Sequence, residues 1–110
     1  MKKIYYLKTC DTCRRILKDM DTTGYTMQEI KTNPITVKQL DELHALTKSY
    51  AVLFSRRAKK YQQMDLKHVA LTEKDYRQLI LEEYTFLKRP VIVNGPEVYI
   101  GNTKKKVTMN

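Results

Sequence analysis

The only two cysteines of this chain lie close together near its start, directly after a short apolar stretch. Residues 4–7 (IYYL) are aliphatic or aromatic, which favours a buried strand. Apolar residues then recur at the spacing of one helix face, at Cys13, Ile16, Leu17 and Met20. A second strand is predicted over residues 26–30. This region therefore predicts a β-α-β unit with the cysteines in its first strand-to-helix loop.

The middle of the chain is predicted to be helical. Thr36 with Gln39 and Thr72 with Asp75 have the spacing of capping boxes, and apolar residues follow each box at helical spacing. One further helix, or a pair of helices, is predicted between them from apolar positions at Leu53, Phe54, Ala58 and Tyr61.

The end of the chain predicts a hairpin. Residues 91–93 and 98–100 favour strands, and the turn-forming sequence NGP separates them. A last helix is predicted after Gly101. The order β-α-β, helices, β-β-α predicts an α/β fold with a four-stranded mixed sheet. We expect one domain over residues 1–110, with a helical insertion at about 35–88.

Cysteine usage and charge exclude several classes. A secreted disulfide scaffold would have more cysteines, and a structural zinc site needs four ligands, which His44 and His68 do not complete at finger spacing. We therefore expect no metal site. Residues 4–7 are too short for a signal-peptide core or a membrane span, so a cytoplasmic location without membrane contact is expected. The net charge of +9 permits an anionic partner without choosing one. The tyrosines form no RNA-binding motif, so direct nucleic-acid binding is not expected.

The motif CDTC (residues 10–13) carries the clearest chemistry. A cysteine at a helix N-terminus meets free N–H groups and a partial positive charge, and both lower a thiol pKa below about 8.5. Arg14 and Arg15 are expected to add positive charge. Because Cys13 lies one turn after Cys10, the spacing predicts that Cys10 attacks as a nucleophile and that Cys13 resolves the product as a disulfide.

Three further residues are candidate anion contacts. Arg89 precedes a predicted strand and should face the first strand-to-helix loop, where its guanidinium could bind an oxyanion or a carboxylate; a surface ion pair is the alternative. Arg56 is a second candidate, although the basic run around it also fits a solvated helix face. Thr12, between the cysteines, is the third. Pro90 stands at a strand entrance, where a cis peptide bond is compatible with the sequence.

Three segments resemble the ArsC/Spx family in order along nearly the whole chain. They are YLKTCDTC (residues 6–13), YQQMDL (61–66) and LKRPVIV (87–93), and the Gly101 end fits the same pattern. The resemblance implies a thioredoxin-like fold with an inserted helical subdomain. It also implies a nucleophilic cysteine at Cys10 and an anion-binding arginine at Arg89 beside a cis Pro90.

The resemblance points to two functions within that family. In its arsenate reductases the cysteine attacks arsenate, and glutathione with glutaredoxin completes the reduction. Those enzymes have two further arginines. One falls near Ser55, where this chain has Ser at the closest match and Arg56 one place later, and the other falls near Gly101, where this chain has no arginine. They also generally lack the second cysteine. Cys13 instead matches Spx-type regulators, which use CxxC as a redox switch and bind the RNA polymerase α-subunit.

We therefore expect an arsenate-reductase-like thiol-disulfide oxidoreductase, with no bound cofactor and with glutathione/glutaredoxin or thioredoxin as external reductant. Its partners would be that thiol reductant, or another redox partner protein, and a small oxyanion. An Spx-like redox-sensing regulator that binds the RNA polymerase α-subunit is the alternative. A plain glutaredoxin-like protein is a third hypothesis, against which the helical insertion and the Arg89-Pro90 pair argue.

Overall fold

The computed structural model describes residues 1–101, which form four strands and four α-helices. The strands are β1 (Lys2–Tyr6), β2 (Thr26–Glu29), β3 (Val91–Asn94) and β4 (Glu97–Ile100). The α-helices are α1 (Asp11–Lys18), α2 (Val37–Thr47), α3 (Lys59–Gln63) and α4 (Glu73–Glu82), and short 3-10 helices lie at Ala51–Leu53, Leu66–His68 and Tyr84–Phe86. The helix predicted after Gly101 lies outside the described residues.

The four strands form one mixed sheet in the order β2-β1-β3-β4. β1 pairs in parallel with β2, and Ile4 lies opposite Met27. β3 runs antiparallel to both β1 and β4. The α/β prediction with a mixed four-stranded sheet is confirmed. A parallel pair needs a crossover connection, and α1 supplies it between β1 and β2.

Both predicted capping boxes are confirmed, and each begins a helix that packs on the core. Thr36 accepts a hydrogen bond from the N–H of Gln39 at the start of α2, and Thr72 accepts one from Asp75 at the start of α4. The predicted apolar face of α2 is correct at Leu40 and Leu43, which are buried. The same helical spacing after Thr36 also predicts Val37 on this face, and that is wrong, because Val37 is the first residue of α2 and is 52% exposed.

Of the two alternatives predicted between the capping boxes, a single helix or a pair, the structure has a pair, the 3-10 helix Ala51–Leu53 and α3, with a break at Phe54. The 3-10 helix Ala51–Leu53 ends there, and Phe54 adopts an extended conformation opposite Leu87. The Ser55 N–H donates to the Phe86 carbonyl (2.7 Å), and the Lys88 N–H donates to the Leu53 carbonyl (2.8 Å). These backbone hydrogen bonds join residues 53–55 to residues 86–88, and apolar spacing cannot reveal such a pairing.

The core lies between the sheet and the helices that connect β2 to β3. The largest fully buried side chains of this core are Tyr5, Phe54, Phe86, Ile30, Leu40, Leu43, Leu53, Ile80, Leu87, Val91 and Val93. His44 lies at the boundary of the core, where its ring stacks on Tyr50 at 4.1 Å and its Nε2 lies 3.9 Å from the Glu73 carboxylate. Within residues 1–101, every helix is too short or too polar to cross a membrane.

Candidate functional site

Cys10 is the N-cap residue of α1 and follows the end of β1 by a short loop. Its N–H donates to the Leu7 carbonyl (3.1 Å), and its carbonyl accepts from the Arg14 N–H (3.0 Å). Its backbone is extended rather than helical, as is usual for an N-cap residue. Cys10 is partly exposed, Cys13 is buried, and both are free thiols.

The two thiols have opposite pKa shifts. Burial opposes ionisation of Cys10, but hydrogen bonds from the backbone and thiol of Cys13, the charge of Arg89 and the Thr12 N–H outweigh it. The pKa of Cys10 therefore lies below its ordinary value. Burial raises the pKa of Cys13 to about 12, and the neighbouring Cys10 thiolate adds to that rise. Cys10 thus ionises more readily than an ordinary thiol, and Cys13 ionises less readily.

A positive charge that lowers the pKa of Cys10 comes from a distant residue and not from the nearby Arg14. Arg14 forms an ion pair with Asp11 on the exposed side of the first turn. The cation that lowers the pKa of Cys10 is Arg89, which is 79 positions later in the chain. The stabilisation of the thiolate therefore depends on the tertiary fold as well as on the helix.

Cys10 opens into a cleft of about 400 Å³ built from three separate parts of the chain. The first strand-to-helix loop contributes Cys10 and Thr12. The paired segments described above contribute one wall, and the end of β4 contributes another, where the Gly101 N–H donates to the Pro90 carbonyl (2.8 Å). The lining residues are Cys10, Thr12, Phe54, Ser55, Arg56, Arg57, Lys88, Arg89, Ile100 and Gly101.

The cleft is strongly cationic. Four of its lining residues are Arg56, Arg57, Lys88 and Arg89, and none of the described residues that line it is acidic. Burial lowers the pKa of Lys88, and the charges of Arg56 and Arg57 lower it further. Such a concentration of like charge favours a negatively charged ligand in the cleft.

Arg89 is held rigidly but retains hydrogen-bonding capacity. Its Nη1 donates to the carbonyls of Thr85 and Leu87, both at 3.0 Å. Its Nε is buried and has no hydrogen-bond partner among the described residues. Buried polar nitrogens are nearly always satisfied in folded proteins. The peptide bond between Arg89 and Pro90 is cis.

Arg56 is held from a different direction. Its Nη2 donates to the Tyr76 hydroxyl (2.9 Å), and its guanidinium carbon lies 5.8 Å from the centre of the Tyr76 ring. Tyr76 belongs to α4 and is 9% exposed. The fold therefore brings together all the candidates named from the sequence, namely Cys10, Cys13, Thr12, Arg56, Arg89 and Pro90.

Sequence analysis missed four residues of this region: Ser55, Arg57, Lys88 and Tyr76. Lys88 and Arg57 adjoin candidates that were recognised, but their shared location depends on the pairing of residues 53–55 with 86–88. Tyr76 lies on the apolar face of the helix that follows the Thr72 capping box, and nothing in the local sequence links its hydroxyl to Arg56. Among residues 1–101, no three His, Cys, Asp or Glu side chains group closely enough to hold a metal ion.

Comparison with known proteins identifies relatives along almost the whole chain. The global transcriptional regulator Spx 2 of Bacillus anthracis is 26% identical over 110 residues, which cover 97% of this chain and 84% of the regulator. An ArsC family related protein from Bacteroides fragilis superposes with a TM-score of 0.80 at 21% identity, covering 94% of this chain and 91% of that one. Arsenate reductase from Vibrio cholerae superposes with a TM-score of 0.72 at 19% identity, covering 91% and 88%.

The structural neighbours share the thioredoxin-like ArsC fold, with a mixed sheet and connecting helices. At these identities the superpositions establish the fold alone. The family model for the ArsC family matches residues 5–109. That match includes both cysteines, Arg56, Arg89 and every strand except the first residues of β1, so this chain belongs to the ArsC family.

Proposed function

We propose that this protein is an arsenate-reductase-like thiol-disulfide oxidoreductase in which Cys10 attacks an anionic electrophile and Cys13 resolves the product. The observation that carries the proposal is the shared cleft of a stabilised thiolate and an anchored arginine. Arg89 lowers the pKa of Cys10 and still has a buried, unpartnered Nε among the described residues. The arsenate reductases among the structural neighbours support the same interpretation.

The geometry of Arg89 suits a tetrahedral oxyanion. Since Nη1 is occupied by two carbonyls, the edge formed by Nε and Nη2 is the one left for a ligand. That edge presents two parallel N–H donors, which match two oxygens of arsenate, phosphate or a carboxylate. Arg56 and Thr12 line the same cleft and are proposed as further anion contacts.

The proposed reaction with arsenate has two steps. The Cys10 thiolate attacks the arsenic of dihydrogen arsenate, and a sulfur–arsenic bond forms. One arsenate hydroxyl takes the proton of the second hydroxyl and leaves as water. The Cys13 thiol then passes its proton to an oxygen on arsenic and attacks the Cys10 sulfur. A disulfide forms, and the electron pair of the broken sulfur–arsenic bond stays on arsenic, which leaves as arsenite. Arsenic gains two electrons, and the two cysteines together lose two.

The opposite pKa shifts support this order of events. Cys13 is poorly reactive while Cys10 is a thiolate, because burial and the adjacent negative charge both keep it protonated. Once Cys10 has bonded to the substrate, its sulfur no longer has the thiolate charge, so one of the causes that raise the pKa of Cys13 is removed while burial remains. Glutathione with glutaredoxin, or thioredoxin, is proposed to restore the dithiol, and the cytoplasm is the compartment that supplies such reductants.

The test measures alkylation of Cys10 against pH, with and without arsenate, and arsenite formation with a thiol reductant. We expect an inflection below about 8.5, slower alkylation when arsenate is present, and no reaction in Cys10→Ser. Cys13→Ser is the matched variant, because it keeps the nucleophile and should stop after the first step. If arsenate gives neither protection nor turnover, if no disulfide substrate is reduced, and if Cys10→Ser behaves as wild type, the proposal is wrong.

An Spx-like regulator is the second candidate, and the similarity to Spx 2 along nearly the whole chain favours it. In this alternative the cysteine pair switches between dithiol and disulfide, and one of those forms binds the RNA polymerase α-subunit. A pull-down of the polymerase α-subunit with both redox forms tests it. Capture by one form would support the regulator, and capture by neither form would contradict it. The cationic cleft beside Cys10 favours the enzyme.

A further inference from the structure

The guanidinium of Arg56 faces an electrostatic difficulty. It shares the cleft with three other cations, Arg57, Lys88 and Arg89, and none of the described lining residues offers it a carboxylate. A long, exposed arginine side chain in that setting would be driven into solvent by like-charge repulsion and by its own rotamer entropy. Something other than an ion pair must therefore keep it at the cleft.

We propose that Tyr76 is a positioning residue that holds Arg56 in the anion-binding cleft. The inference rests on the proposed function, since it assigns Arg56 to the anion. Tyr76 makes two contacts with this guanidinium, a hydrogen bond to its hydroxyl at 2.9 Å and a cation–π contact with its ring at 5.8 Å. Neither contact adds a negative charge, so Arg56 keeps its full charge for a ligand.

The core fixes the position of Tyr76 itself. Its ring packs on Phe54, with the ring centres 4.8 Å apart, and Phe54 stacks on Phe86 at 4.9 Å. Phe54 and Phe86 are 0% and 1% exposed, so this aromatic cluster has little freedom to move. Through these contacts α4 determines where the Arg56 guanidinium lies, although α4 contributes none of the residues that line the cleft.

An alternative is that the Tyr76 hydroxyl only stabilises the fold. A structural role would lower the free energy of unfolding without a specific dependence on Arg56. A positioning role predicts that removal of the hydroxyl matters only while Arg56 is present. The two roles therefore differ in the coupling between the residues, which a double-mutant cycle measures directly.

The experiment measures protection of Cys10 from alkylation by inorganic arsenate in wild type, Tyr76→Phe, Arg56→Gln and the double variant. Tyr76→Phe should raise the half-protecting arsenate concentration about threefold to tenfold, the range expected for one hydrogen bond. Its alkylation rate without arsenate should stay that of wild type. The double variant should match Arg56→Gln alone. Tyr61→Phe is the matched control, since Tyr61 also packs on Phe54 and its ring centre lies 6.0 Å away.

A second readout follows the guanidinium without any anion. Slow exchange of the Arg56 side-chain N–H groups by NMR is expected in wild type and Tyr61→Phe, and fast exchange in Tyr76→Phe. Two outcomes would overturn this inference alone, provided that arsenate protects the wild type. In the first, Tyr76→Phe leaves the half-protecting arsenate concentration unchanged. In the second, Tyr76→Phe raises that concentration by the same factor in the Arg56→Gln background. No protection of the wild type by arsenate would overturn the proposed anion site and this inference with it.

Discussion

The cleft at Cys10 and the junction between α2 and α4 each contain an arginine close to a tyrosine. The arginine at the junction is paired with a carboxylate, whereas the arginine in the cleft is not. At the junction, Arg77 donates two hydrogen bonds to Asp41, at 3.0 and 3.1 Å, and Tyr50 donates a third to the same carboxylate at 2.7 Å. In the cleft, Arg56 meets only the neutral hydroxyl and ring of Tyr76 among the described contacts.

This difference separates a structural ion pair from a ligand site. The junction charges satisfy one another and tie α2 to α4, so they need no further partner. The cleft concentrates four cations without a carboxylate among its described lining residues, and like-charge repulsion there is relieved only by an added anion. The pKa values agree with this contrast, since the pKa of Asp41 is lowered to about 2 whereas that of Lys88 is lowered by burial and repulsion.

The largest difference between the two regions should appear when one arginine in each is replaced by glutamine. Arg89→Gln should weaken arsenate protection of Cys10 by about tenfold to a hundredfold, because a bidentate charged contact is lost. It should also raise the pKa of Cys10, which alkylation rates against pH would reveal. Arg77→Gln should lower the denaturation midpoint and leave arsenate protection unchanged.

Arg89 also holds the carbonyls of Thr85 and Leu87, so its replacement can disturb the fold. Arg89→Lys retains the charge without the planar pair of donors and should give an intermediate loss of protection. Equal losses of protection in the Arg89→Gln and Arg77→Gln variants would mean that the contrast between the two regions is false.

A smaller effect is expected when the cleft is given the carboxylate that it lacks. Ser55→Asp places a negative charge among Arg56, Arg57 and Lys88 while keeping an oxygen that can accept from the Arg57 N–H, as Ser55 does at 3.3 Å. We expect arsenate protection about threefold to tenfold weaker and a higher pKa for both Cys10 and Lys88.

Ser55→Asn is the matched control for that experiment, because it has the same shape without the charge. Alkylation against pH reports on Cys10, and NMR titration reports on Lys88. If Ser55→Asp and Ser55→Asn behave alike, the absence of a carboxylate from the described cleft lining does not explain its preference for an anion.

The smallest effect is expected at acid pH in the junction. Hydrogen bonds from Arg77 and Tyr50 keep the pKa of Asp41 at about 2, below the value of about 3.9 for an unfolded chain. The ionised carboxylate therefore stabilises the fold above about pH 4, and that contribution disappears as the pH falls through about 2.

Asp41→Asn should consequently unfold more easily than wild type at pH 7, and the two should converge as the pH approaches 2. Chemical denaturation across this range measures the difference. His44 and Glu73 lie in the same junction and are present in both proteins, so the comparison isolates Asp41. A difference in stability that stays constant from pH 7 to pH 2 would contradict the assignment.

Local sequence was sufficient to predict most of the secondary structure. The capping boxes at Thr36 and Thr72 are formed by residues three apart, so neighbouring side chains decide where α2 and α4 begin. The strands of the final hairpin follow from β-branched residues on either side of a turn. Local sequence left open whether one helix or two lie around Phe54, because the break there depends on hydrogen bonds to a segment more than 30 positions away.

The sequence predicted several residues of the candidate site, but it did not predict how they are arranged. Cys10 and Cys13 stand out because they are the only cysteines and lie at a strand-to-helix junction. Arg89 was found from its place before a strand. Lys88 and Tyr76 could not be found in this way, since each acquires its role from a residue that is distant in sequence.

By itself, then, the sequence determined the β-α-β start, the two cysteines at the beginning of α1 and the presence of cations in excess. These features depend on backbone preference, side-chain spacing and composition, all of which act over a few residues. Tertiary structure alone decided which cations face Cys10. Arg14, although close in sequence, forms an ion pair with Asp11. The fold instead brings the Arg89 guanidinium close to the Cys10 thiolate and leaves its Nε without a described partner.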